Sequence, residues 1–404
     1  MFAKLSNFAK NEAIRHTFGY YFLYICLGLD SAILGPTLPA LANQTTSRLG
    51  QMGLLFLAAS IGVTLGTMIG GRVFDRLPGH QILGIAQLFA AVLIFFIPLT
   101  SSLWLLLPIL VCKGFAEGFI NTGPNALLVW THGEKAAPFI NGLHFFFGLG
   151  AFLSPLLVAR LLGVAGGYRW AYWGLAAFAA LVGLRMLTMS GSPHPSQAQG
   201  KGMAQNPPGP VSYALVISAM LFLFFYVGAE IAFGGWIYTY AITLKLASAA
   251  GAAYLTSAFW ASFTVGRLLS IPAATRFTPK QVILTALSFC LSILAVGIIF
   301  SGSSTALWLM AIGLGFCMAP IYATGFTLAG QSIALTGRLT GIILLGDSLG
   351  GMVLPAMMGK VIEGSGAHAM IYLVFGSLVL NLLAFTALLR LRQAKKQFHW
   401  DSPG

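Results

Sequence analysis

Long apolar runs, broken by charges, glycines and prolines, fill almost the whole of this chain and predict twelve helical spans. They fall at 17–41, 48–72, 81–100, 103–130, 136–160 and 168–189, then at 211–243, 249–271, 280–300, 304–331, 334–360 and 367–391. Each run reaches or exceeds the roughly 20 residues a helix needs to cross hydrocarbon. Between the sixth and seventh runs, residues 190–210 hold five prolines with Gly, Ser and Gln, a composition that neither packs nor forms a helix. The pattern therefore predicts a six-helix bundle at 1–189, a linker at 190–210 and a second bundle with a short basic tail at 211–404.

The pattern also repeats. At an offset of two hundred residues Gly28-Leu29-Asp30 matches Gly228-Ala229-Glu230, Gly35 matches Gly235, Gly150 matches Gly350 and Pro155 matches Pro355. Gln81-Ile82-Leu83 resembles Gln281-Val282-Ile283 at the same offset. Two halves of one ancestry are the usual build of a transporter with its site at their interface.

Composition narrows the class. Of 404 residues 57% are hydrophobic and 8% charged, where a soluble domain carries about 25% charged residues. An all-α polytopic membrane protein in a lipid bilayer follows, because only helices or closed barrels satisfy the backbone in hydrocarbon. The net charge of +13 would suggest nucleic acid in a soluble protein, but here the positive residues sit between spans. With an inside N-terminus, sixteen Lys and Arg fall on the cytoplasmic side, five outside, and Lys113 within a span. That asymmetry predicts both termini in the cytoplasm. Short loops fit a bacterial inner-membrane protein. Cys26, Cys112, Cys290 and Cys317 read as small core residues. No nucleophile elbow, phosphate-cradling loop or metal-ligand cluster is present, so the sequence predicts neither an enzyme nor a metal or other cofactor.

Nine acidic residues exist, and four fall inside spans: Asp30, Glu117, Glu230 and Asp347. An ionisable group there costs about 2.5–3.5 kcal/mol by insertion scales and normally faces a bundle interior or a watery cavity. Asp30, Glu117 and Glu230 are the candidate ion-coupling residues. Two plainer readings stand beside that one: Lys113, one turn before Glu117, can simply neutralise it, and Asp30 and Glu230 can hold the halves together. Asn121 and Asn125 continue the face of Glu117, and Asn141 and His144 share a face of the next span. These directional donors and acceptors suit a polyhydroxylated solute. Tyr226, Trp236 and Tyr322 are candidate stacking partners, with plain packing as the competing reading. Between spans two and three, Gly71, Asp75 and Arg76 form a candidate gating motif.

Twelve spans, the six-plus-six repeat and Gly71-x-x-x-Asp75-Arg76 with Gly79 resemble the major facilitator superfamily, with Pro78 and His80 as departures from its loop. Leu34-Gly35-Pro36-Thr37-Leu38, Leu143-His144-Phe145-Phe146 through Pro155, and Glu117 with Asn121 are similar to its sodium-dependent glucose transporter branch and to the fucose permeases. The resemblance implies two pseudo-symmetric bundles that carry a monosaccharide-like solute in symport with a proton or a sodium ion, as a monomer. The alternative is a proton-coupled exporter of amphipathic small molecules, favoured by thirty-one phenylalanines.

Overall fold

The computed structural model describes residues 2–193, 212–332 and 337–400. Residues 194–210 of the expected linker lie outside the described residues. Every regular element described is helical: α1 (Phe2–Gln44), α2 (Leu49–Phe74), α3 (Gly79–Phe96), α4 (Leu103–His132), α5 (Ala137–Leu161), α6 (Arg169–Leu187), α7 (Tyr213–Thr243), α8 (Ala249–Arg276), α9 (Pro279–Ile299), α10 (Ser304–Met318), α11 (Ile321–Ser332), α12 (Gly337–Ser365) and α13 (Ala369–Trp400). Among the described residues eleven helical stretches are long and apolar enough to cross a membrane, with α10 and α11 counted as one. The helix outside that count is α8, whose apolar run is interrupted by Thr256, Ser257, Ser262, Thr264, Arg267 and Ser270.

Two compact units divide the chain. One holds α1–α6 with Ala249–Ser257 of α8, and the other holds the rest of α8 with α7 and α9–α13. Inside the first unit α1 lies along α5, α2 along α4 and α3 along α6. Inside the second, α7 lies along α12 and α13.

The repeated glycines explain two of these pairs. A side-chain carbon at Gly28 would run into the carbonyl oxygen of Phe147, and one at Gly150 into that of Ile25. In the second unit a carbon at Gly350 would strike the carbonyl oxygen of Phe224, and one at Gly228 the Leu354 side chain. Backbones this close are packed by dispersion, which is what holds helices together where lipid removes the hydrophobic drive.

The tenth span departs from expectation. It breaks at Ala319 and Pro320 into α10 and α11. Proline lacks the amide hydrogen that would bond the carbonyl one turn earlier. At the break the Met318 carbonyl accepts from the Tyr226 hydroxyl of α7, at 2.7 Å.

Candidate functional site

In the first unit a polar stripe runs along α4 through Lys113, Glu117, Asn121 and Asn125, at a spacing of four that keeps all of them on one face. That face meets α1. The Lys113 ammonium donates to the Asp30 carboxylate on α1, and to Glu117 Oε1 on its own helix at 2.8 Å. The three residues are only 6, 6 and 7% exposed. Farther along, Tyr24 donates to the Asn121 carbonyl at 2.8 Å, and the Asn125 amide donates to the Tyr24 hydroxyl and to that same carbonyl. The two helices are thus joined twice, by an ion triad and by a neutral network.

Asn121, Asn141 and His144 are exposed on the chain. The His144 ring stands edge-on to Tyr24, with centroids 6.2 Å apart. The structure therefore brings together Asp30, Glu117, Asn121, Asn125 and His144, and ties them through Lys113 and through Tyr24, which the sequence pattern does not single out. The plainer reading of Lys113 is partly realised: it pairs with Glu117, and it also reaches a carboxylate 83 residues away. Tyr172 lies within electrostatic range of Asp30 and Lys113, with its hydroxyl 2.9 Å from that of Thr37.

In the second unit the acidic residues are arranged differently. Glu230 on α7 is within electrostatic reach of Tyr226, of Arg267 on α8 and of Asp347 on α12. Asp347 accepts from the Tyr322 hydroxyl at 3.1 Å. The Arg267 guanidinium lies over the Phe263 ring, 4.6 Å from its centroid, and forms no ion pair among the described residues. Arg267 lies within α8, on the same helix as the polar residues Ser262, Thr264 and Ser270. Tyr226 and Trp236 are fully buried here, and the Trp236 indole donates to the Pro355 carbonyl at 3.0 Å.

Gly71, Asp75 and Arg76 are exposed at the end of α2, where Asp75 and Arg76 make backbone turn bonds and no ion pair among the described residues. The buried group nearby is His80, whose Nε2 lies 2.7 Å from the Tyr20 hydroxyl. His16 stands edge-on to it at 4.5 Å and donates to the Ser190 carbonyl at 3.0 Å. No group of three or more His, Cys, Asp and Glu suited to a metal occurs among the described residues.

The sequence profile of the Major Facilitator Superfamily matches residues 20–355. Sodium-dependent glucose transporter 1A of Mus musculus is 29% identical, covering 92% of this chain and 95% of its own length. Sodium-dependent glucose transporter 1 of Homo sapiens is 27% identical, covering 91% and 78%. Among solved structures, the nucleoside transporter NupG superposes with a TM-score of 0.73 at 15% identity, covering 93% of this chain and 99% of that one. A D-xylose-proton symporter gives 0.71 at 15% identity, covering 92% and 96%. At such identities these structures speak for the fold alone.

Proposed function

Because this chain belongs to the Major Facilitator Superfamily, a family of transporters rather than enzymes, we propose that it moves a monosaccharide-like solute by alternating access in symport with a monovalent cation. The observation that carries this reading is the joined pair of networks between α1 and α4. A charged triad able to exchange a cation adjoins amides and an imidazole able to bind hydroxyl groups. The similarity to transporters named for sodium-dependent glucose transport supports a sugar as the solute.

In this reading Asp30, Glu117 and Glu230 couple the ion. Asn121, Asn125, Asn141 and His144 contact the solute, and Tyr226, Trp236 and Tyr322 approach it as the second unit changes conformation. Two six-helix bundles rock in alternating access, joined by a linker at 190–210 that lets them move, with Gly71, Asp75 and Arg76 at the gate. The protein acts as a monomer, with both termini cytoplasmic, and needs no cofactor beyond the transported ion.

Uptake and counterflow of labelled monosaccharides into proteoliposomes test the reading. Glu117→Gln is expected to abolish accumulation against a gradient while sparing counterflow, and Asn121→Ala and His144→Ala to weaken solute affinity. Accumulation by Glu117→Gln, or unchanged affinity in both other variants, would overturn those assignments. Absence of counterflow across the sugar panel would overturn the solute class.

A further inference from the structure

The seam between α1 and α6 is bonded at one end and hollow farther in. Near the loops the Tyr168 hydroxyl donates to Gln44, and the Thr37 and Tyr172 hydroxyls meet at 2.9 Å. Beyond Thr37 the walls part into an apolar crevice of about 410 Å³ between α1, α5 and α6. Leu29 and Ile33 line it from α1, and Gly174 and Phe178 from α6. Each pair is one turn apart on its helix, so the crevice runs lengthwise with the helices. Leu157 of α5 is 48% exposed and Gly174 is exposed as well, which leaves one side open. A side-chain carbon at Gly174 would meet nothing within 4 Å. Apolar walls that face no atoms forgo their dispersion contacts, so a narrow apolar chain completes the packing.

The end of the unit toward which the crevice leads is cationic. Arg160 follows Leu157 by one turn on the same face of α5, Trp170 precedes Gly174 by one turn on the same face of α6, and Arg169 opens α6. All three are exposed. Neither arginine forms an ion pair among the described residues. The connections at this end, 45–48, 97–102 and 162–168, contain no Asp or Glu that would repel an anion. We propose that the crevice holds one acyl chain of an anionic phospholipid, with its phosphate on Arg160 and Arg169 and with Trp170 at headgroup level. The planar guanidinium matches phosphate oxygens two at a time, and indole rings favour the boundary between headgroup and hydrocarbon. A phospholipid with a neutral headgroup would fill the crevice equally well but leave the charge of both arginines unmatched. The bound chain lies against Leu29 and Ile33, on either side of Asp30 in sequence, and so braces α1 against α5 and α6 at that depth. This site is separate from the polar face shared by α1 and α4 and stands whatever the solute.

Native mass spectrometry of the full chain in detergent, with phosphatidylglycerol and phosphatidylcholine of identical tails, tests this. The wild type should retain one phosphatidylglycerol with about thirtyfold preference, the electrostatic worth of two arginines. Gly174→Leu puts a side chain into the crevice and should lose retention of both lipids. Arg160→Gln with Arg169→Gln should keep a lipid and lose the preference. Lys360→Gln, at the matching end of α12, should change neither. Equal retention of the two lipids by the wild type would overturn the proposal, and so would a preference that survives loss of both arginines. Undiminished retention by Gly174→Leu would overturn the crevice as the site. A preference lost equally in Lys360→Gln would mark diffuse surface charge and overturn it too. Should Gly174→Leu fail to fold, phosphatidylglycerol with a photoreactive tail decides: labelling of the wild type within α5 or α6 at the crevice supports the site, and labelling confined to other helices removes it.

Discussion

Asp30 and Glu230 occupy equivalent places on the first helices of the two units, in matching Gly-x-acid sequences, yet their surroundings differ. Asp30 is locked to an ammonium that also holds Glu117, within a two-helix contact. Glu230 shares its neighbourhood with groups from α8 and α12, and its nearest cation, Arg267, rests on an aromatic face instead of on a carboxylate. One scaffold thus carries a tight charge lock in the first unit and a loose charge cluster in the second. A duplicated frame fixes where an acid stands but not how its charge is balanced. That balance depends on side chains from other helices, and those do not repeat.

The two units should respond most differently when each loses its cation. Lys113→Ala strands two buried carboxylates and is expected to cost about 3–5 kcal/mol. Arg267→Ala loses chiefly a cation–ring contact, worth about 1 kcal/mol. Unfolding of the purified protein in detergent compares them, and equal losses would erase the distinction. A smaller effect should fall on both units alike: Gly150→Ala and Gly350→Ala each force apart touching backbones, at about 1–3 kcal/mol. If only one of them destabilises, the shared frame is not structurally equivalent. Smallest are Tyr24→Phe and Tyr322→Phe, each about 1 kcal/mol for one hydroxyl. Tyr24→Phe also releases the Asn125 amide, so a titration of solute binding should show weakened affinity even where unfolding barely moves.

How much of this was readable in advance follows from range. The spans were legible because each is a continuous apolar run, and the acids because a charge inside such a run stands out. The glycine repeat was legible because its steric demand falls on single positions. Pairings between helices were not. The contact of Asp30 with Lys113 and the network of Tyr24 with Asn121 and Asn125 depend on how α1 and α4 are rotated and at what depth they cross, which no local pattern records. Aromatic residues were ambiguous for another reason: Trp236 and Tyr226 look the same in sequence whether they pack or bind. The break at Pro320 was hidden among prolines at 36, 124, 155 and 355, around which α1, α4, α5 and α12 remain continuous.

That break has a mechanical meaning. An unbroken helix passes a push from one end of a membrane to the other as a rod does. Where Pro320 omits a rung of the ladder, the tenth span becomes two short rods joined by a pivot, and no rearrangement of side chains can restore the missing rung. The Tyr226 hydroxyl on the Met318 carbonyl ties the α10 side of the pivot to α7. Motion at one end of this span need not reach the other.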